Sequence, residues 1–327
     1  MLSGLRQKIV LSLAFAALIY LALTLYADAP KLAQSLLNWD WRWLPLILAA
    51  VLVNYLLRFV RWHYYLRVVG ISNVPAFPSL LIFLSGFSLT MVPGKLGELL
   101  KSVLLKSRYG TSISYSASIV AAERLSDTLG MVLLVALGAI VYPLGLPALA
   151  IVVAGMLVVI VLMQSRALAE HLLKFAEHIP VVGKFAHLGR NLYECAYLML
   201  SWKPLLIALA LSAVAWFGEC VALFLVLVGF GVPGTLTLLL QSMFIYGGAS
   251  LFGAITLLPG GVGATEGSMT SLAQTLIGLG ASVAAAATLL VRASTLWFAI
   301  ILGGLALVIF GLPASYADNS PSSPVVD

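Results

Sequence analysis

Eight ionisable side chains stand inside the apolar body of this chain: Lys95, Glu98, Glu123, Arg124, Asp127, Glu219, Glu266 and Arg292. Most gather on three stretches, "VPGKLGE" (92–98), "AAERLSDTLG" (121–130) and "LLPGGVGATEG" (257–267). The first and third share P-G-x-x-G with a nearby glutamate, a pattern that breaks a helix and restarts it. Gly94, Gly97, Gly260, Gly261 and Gly263 permit the break and let other backbone approach closely. Each restarted half-helix opens with unbonded N–H groups at the positive end of its dipole. Two such ends near mid-membrane suit an anion such as a phosphate, and Lys95 adds a formal positive charge to the first. Glu98 and Glu266 fall in the first turn of their half-helices, where a carboxylate caps the helix as readily as it serves a site. Arg58, Arg61 and Glu219 are secondary candidates, and Glu219 has no counterpart in the other half of the chain.

Other chemistries find less support. No histidine lies deep in an apolar stretch, "GGASLFG" (247–253) lacks the G-x-S-G of an intramembrane serine protease, and Asp127 is the single deep aspartate. Cys195 and Cys220 have no C-x-x-C spacing, so neither a metal site nor a disulfide framework is expected. The expectation is a protein that is not an enzyme and carries no cofactor.

The elements that position these residues follow from composition. The chain is 62% hydrophobic and 9% charged, with a mean hydropathy of +1.08, far from soluble averages. Apolar stretches at 9–27, 43–60, 115–141, 144–163, 203–229 and 281–311 each reach the length needed to cross a bilayer. The first opens late behind Arg6 and Lys8 without an A-x-A cleavage site, and reads as a retained helix. The net charge of +6 comes without a basic cluster interleaved with aromatics, so nucleic acid is not an expected partner. Within 115–141, Glu123, Arg124 and Asp127 sit about 16 to 22 Å deep at 1.5 Å per residue. Charges at that depth cost roughly 2.5–3.5 kcal/mol each on insertion scales, so they must pair or line a wet cavity.

Lys and Arg accumulate on the cytoplasmic side of a membrane protein. With the N-terminus inside, thirteen fall on that face (6, 8, 58, 61, 67, 101, 106, 108, 166, 174, 184, 190 and 203) and only Lys31 and Arg42 fall outside. Both termini are then cytoplasmic, and Trp39, Trp41 and Trp43 suit an outer interfacial belt. The assignment requires residues 75–109 to enter from the cytoplasm and return as a re-entrant hairpin. Residues 234–279 mirror it from outside. Residues 164–200 read as an amphipathic helix on the cytoplasmic surface.

An internal repeat underlies this layout. "WLPLILAA" (43–50) matches "WKPLLIAL" (202–209), and Pro45 to Gly70 spans 25 residues, as does Pro204 to Gly229. Pro93 to Arg124 spans 31 residues and Pro259 to Arg292 spans 33. The expected fold is all-α: about six transmembrane helices plus two re-entrant broken-helix hairpins in an inverted-topology repeat, the pattern of secondary transporters. One membrane domain covers 1–312. It divides into a first helix and outer loop (1–42), repeat A (43–141), a linking helix and amphipathic segment (142–201) and repeat B (202–311). A disordered tail occupies 313–327.

"RFVRWHYYLRVVGI" (58–71), "VPGKLGELLKSVLL" (92–105), "AAERLSDTLG" and "LPGGVGATEG…LLVRAST" (258–295) resemble the lysylphosphatidylglycerol synthase transmembrane family, or flippase-like domain family, over roughly 5–311. The resemblance implies a multi-pass protein of a bacterial-type cytoplasmic membrane that translocates lipid. Its partners would be anionic phospholipids or polyprenyl-phosphate-linked lipids. Lys95 stands where that family more commonly has arginine, which keeps the charge without the bidentate geometry. The bifunctional relative also carries a cytosolic aminoacyl-transferase domain. With this sequence ending at 327 behind a short tail, transfer chemistry is not expected. A small-solute or ion transporter, a membrane-embedded lipid-modifying enzyme and a non-transporting scaffold are the alternatives. The sequence does not read out an oligomeric state.

Overall fold

The computed structural model describes residues 2–92, 96–141 and 197–311, with isolated positions between 147 and 161. Among them every regular element is helical: α1 Leu2–Tyr26, α2 Ala29–Leu37, α3 Leu44–Val68, α4 Ala76–Ser85, α5 Leu96–Tyr109, α6 Ile113–Ala139, α7 Trp202–Gly229, α8 Leu236–Ile255, α9 Ala264–Ile277, α10 Ala281–Arg292 and α11 Phe298–Phe310. A π-turn, Ala293–Trp297, joins α10 to α11. Four stretches are long and apolar enough to cross a membrane: Trp41–Val68, Trp202–Gly229, Leu236–Ile255 and Ala281–Phe310. Residues 10–26 of α1 with α2 form a fifth, bent by 93° at Asp28, whose φ is +63°. α6 is 27 residues long, and Glu123, Arg124 and Asp127 interrupt its apolar run. The linking helix and amphipathic segment expected over 142–201, and the tail, lie largely outside the described residues.

The two halves run in the same order, and α5 and α9 are both 14 residues long. They differ in the arm before the break. Residues 76–89 form a short apolar helix, whereas α8 has 20 residues, enough to cross alone. Packing between the halves is reciprocal. α3 lies on α7, α4 of the first half lies on α11 of the second, and α8 of the second lies on α6 of the first. The α3–α7 approach is close because Gly218 has no side chain: a Cβ there would stand 2.8 Å from the carbonyl oxygen of Ala50. One turn away the buried Asn54 donates from Nδ2 to the Ala215 carbonyl at 2.8 Å.

The aromatic belt needs one correction. Trp39 is 2% exposed, with its indole N–H donating to the Val226 carbonyl at 2.9 Å. It fills the space left by Gly229, so it belongs to the core, while Trp41 remains exposed. An indole whose N–H finds a backbone acceptor can be buried whole.

Candidate functional site

Between the halves lies a cavity of about 780 Å³. Its walls come from α3, the end of α4, α5 and α6 on one side, and from α7, α8, the second break and α10–α11 on the other. The charges of the sequence converge here. Arg58, Arg61, Lys101, Glu123, Arg124, Asp127, Glu219 and Arg292 all line it, and Glu266 stands directly behind Arg292. Among the described residues that is five cations against four carboxylates, an excess of positive charge in an apolar surround.

Three carboxylates are held by cations at short range. Asp127 receives Arg61 Nη1 at 2.6 Å and the Trp216 indole N–H at 2.9 Å, both on Oδ1; Arg61 also donates to the Ser212 hydroxyl. Glu123 receives Lys101 Nζ at 2.6 Å, and that ammonium lies 4.3 Å from the centre of the Trp62 ring. Glu266 receives Arg292 Nε at 2.7 Å. Arg61 and Lys101 were expected among the cytoplasmic-face charges. Both are instead buried, because a carboxylate at depth requires a cation and these helices supply it. Arg58 is likewise drawn into the cavity wall. Three of the thirteen charges that argued for orientation therefore belong to the interior. The cue was in the sequence: Arg58 and Arg61, three apart on α3, share one helix face.

The second break is closed by the protein's own ions. Gly260, Gly261 and Gly263 have φ of +60°, +68° and +91°, a region in which only glycine is unstrained. Glu266 Oε2 accepts the Gly263 N–H at 2.7 Å, while Arg292 Nη2 donates to the Gly260 carbonyl at 2.8 Å. Tyr20, from α1, donates to Glu266 Oε1 at 3.3 Å and accepts the Trp297 indole N–H at 2.9 Å. Here the anion at the half-helix N-terminus is Glu266 itself, which both caps the helix and pairs with arginine. At the first break, Gly94 and Lys95 lie outside the described residues; Gly97 and Glu98 fall in the first turn of α5.

Two groups in the cavity are less completely held. Arg58 lies between the rings of Phe87 and Trp216, 5.3 and 5.1 Å from their centres. Its nearest carboxylate oxygen, Asp127 Oδ2, is 3.9 Å away. Arg58 Nε and Asp127 Oδ2 are both buried without a hydrogen-bond partner in the protein. Glu219 is 5% exposed and accepts a hydrogen bond from the Tyr246 hydroxyl. Neither Tyr246 nor Trp216 was singled out in the sequence, where each reads as one more apolar residue. Tyr55 also reaches in, and its hydroxyl donates to the Thr295 carbonyl in the π-turn at 2.5 Å.

The profile of the lysylphosphatidylglycerol synthase TM region matches residues 9–303. The chain belongs to that family. A relative described as a UPF0104 membrane protein, from Methanothermobacter thermautotrophicus, is 27% identical over 298 residues, covering 82% of this chain and 86% of the relative. Family membership accounts for the helical membrane body.

Proposed function

We propose that this protein is a flippase-like lipid translocase. It moves an anionic, phosphate-bearing headgroup between leaflets through the cavity while the acyl or prenyl tails stay in the bilayer. The observation that carries this reading is the pair of unpartnered atoms on Arg58 and Asp127. Desolvated polar atoms without partners are costly, and an arriving ligand can satisfy both at once. A phosphate oxygen would accept from Arg58, and an adjacent headgroup O–H or N–H would donate to Asp127 Oδ2. The other cavity cations with short ion pairs, Arg61, Lys101 and Arg292, already hold carboxylates. They set a positive field and hold the walls.

The reciprocal packing of α4 on α11 and α8 on α6 supports an inverted repeat. In that reading, 75–109 and 234–279 are hairpins entering from opposite faces, with both termini cytoplasmic. Alternating access is then a rocking of one half against the other about the charged centre. The test is reconstitution in phosphatidylcholine liposomes carrying traces of labelled phosphatidylglycerol, phosphatidylethanolamine or polyprenyl phosphate, with leaflet-specific detection. Protein-dependent exchange of the anionic lipids, lost in Arg58→Met, is expected. Uptake of free inorganic phosphate with no lipid exchange would replace the reading with a solute transporter.

A further inference from the structure

Among the described residues, one carboxylate of the cavity is held differently from the rest. Glu123, Asp127 and Glu266 each have a cation within 2.6–2.7 Å, so protonating any of them would strand a buried positive charge. Glu219 is as deeply buried, yet its hydrogen bond comes from a neutral group, the Tyr246 hydroxyl. Protonating Glu219 breaks no short ion pair. Every helix packed on α7 presents its groups to this carboxylate: Arg58 and Tyr55 from α3, Asp127 from α6, Tyr246 from α8 and Arg292 from α10. Of these groups Arg58 and Arg292 are cationic and Asp127 is anionic, so the charges around Glu219 carry a positive excess.

Resting on the lipid-translocase reading above, we propose that Glu219 is a proton-binding site coupled to the headgroup site, so that one proton crosses with each headgroup phosphate. The coupling is electrostatic. An anion seated on Arg58 cancels much of the positive field that keeps Glu219 ionised, and the carboxylate then takes up a proton. On protonation the hydrogen bond can reverse, with the new carboxyl O–H donating to the Tyr246 oxygen. Linkage is reciprocal, so a proton on Glu219 tightens anion binding by the same factor. The sign follows. Anion affinity is greatest at low pH, where Glu219 is protonated before the anion arrives, and falls as pH rises through its titration. A singly charged phosphate with its proton is electrically neutral, so the membrane potential does no work on the pair. A proton gradient then becomes the driving force.

The experiment uses the purified full chain in weakly buffered detergent solution with a pH indicator, and dihexanoyl-phosphatidylglycerol as probe. The wild type should take up close to one proton per lipid bound, and its Kd should weaken by up to about tenfold per pH unit. Glu219→Gln should bind with no proton uptake and a flat pH profile. Binding by the wild type without proton uptake, or uptake that persists in Glu219→Gln, overturns the proposal. Infrared titration of the ligand-free protein is the second measurement. A carboxyl band that comes and goes with pH should be present in the wild type and absent in Glu219→Gln. In Tyr246→Phe it should persist to higher pH, because the hydroxyl that steadies the carboxylate is gone. Absence of that band at every pH, or a shift to lower pH in Tyr246→Phe, overturns the proton site whether or not lipid binds. Lipid failing to bind while the band behaves as expected would instead remove the translocase reading and the coupling that rests on it.

Discussion

Arg58 and Arg292 line the same cavity, and replacing each by methionine separates binding charge from structural charge. Arg292 bonds Glu266 at 2.7 Å and the Gly260 carbonyl at 2.8 Å, in a buried setting. Its removal leaves Glu266 as an uncompensated buried carboxylate, a loss of about 3–5 kcal/mol. Arg58 is different. Asp127 keeps Arg61 at 2.6 Å whether or not Arg58 is present. Arg58→Met forfeits two ring contacts, roughly 0.5–2 kcal/mol each when desolvated. It also relieves a buried Nε without a partner, worth about 1–3 kcal/mol. The net change lies between a gain of about 2 kcal/mol and a loss of about 3 kcal/mol, centred near zero. Reversible unfolding in mixed detergent micelles should therefore show Arg292→Met strongly destabilised and Arg58→Met close to wild type. Lipid exchange should show Arg58→Met inactive, with Arg58→Lys intermediate because an ammonium lacks the two-pronged fork. Combining Glu266→Met with Arg292→Met should recover much of the stability lost with Arg292 alone. Arg58→Met with full exchange activity would refute the assignment of the headgroup to Arg58. Equal destabilisation by the two single changes would refute the division between them.

Further expectations follow from particular contacts. Gly218→Val should destabilise by about 1–3 kcal/mol, since its Cβ meets the Ala50 carbonyl oxygen at 2.8 Å; unfolding of the purified variant measures this, and an unchanged midpoint would mean that α3 and α7 can part. Tyr20→Phe removes the hydroxyl that links α1 to Glu266 and Trp297; about 1–2 kcal/mol should be lost, and the thermal midpoint should fall while lipid binding survives. Cysteines placed near Gly70 and Gly110 should both label from the cytoplasm, and those near Gly234 and Gly280 from outside; labelling of Gly70 and Gly110 from opposite faces would end the hairpin and with it the inverted repeat.

The long apolar helices were legible because burial in lipid demands unbroken runs, and α3, α7 and α10–α11 follow the runs seen in the sequence. The charges of α6 and the second break were legible because a charge in such a run has few innocent explanations. Their partners were not. Arg61 meets Asp127 across 66 residues and Lys101 meets Glu123 across 22. A rule that counts every Lys and Arg near a helix end treats these two as loop charges. Glu219 was underrated because it lacks a counterpart in the first half, yet the fold gives it a place that no other carboxylate among the described residues has. The length of α8 was obscured by the repeat itself: matching landmarks suggested matching arms, but a helix that runs along α6 needs more turns than residues 76–89 provide.

The second break shows why glycines, a proline and charges stand together in an apolar chain. A half-helix that begins in hydrocarbon leaves N–H groups bare, and something negative must meet them. Glu266 does so from three residues away, and then needs Arg292, which in turn needs the Gly260 carbonyl exposed by the left-handed glycines. The Gly263 N–H and the Gly260 carbonyl are both taken up within the break, and Tyr20 and Ile19 of α1 pack against it. Such a closed circuit has little left to offer a passing anion, because displacing Glu266 would leave both its own charge and that of Arg292 to be satisfied elsewhere. A ligand that enters the cavity is met more cheaply on the opposite wall, where Arg58 Nε and Asp127 Oδ2 have no hydrogen-bond partner in the protein. On the proposed reading, the second break is the device that holds Arg292 and its field in place, and headgroup recognition falls to α3 and α6.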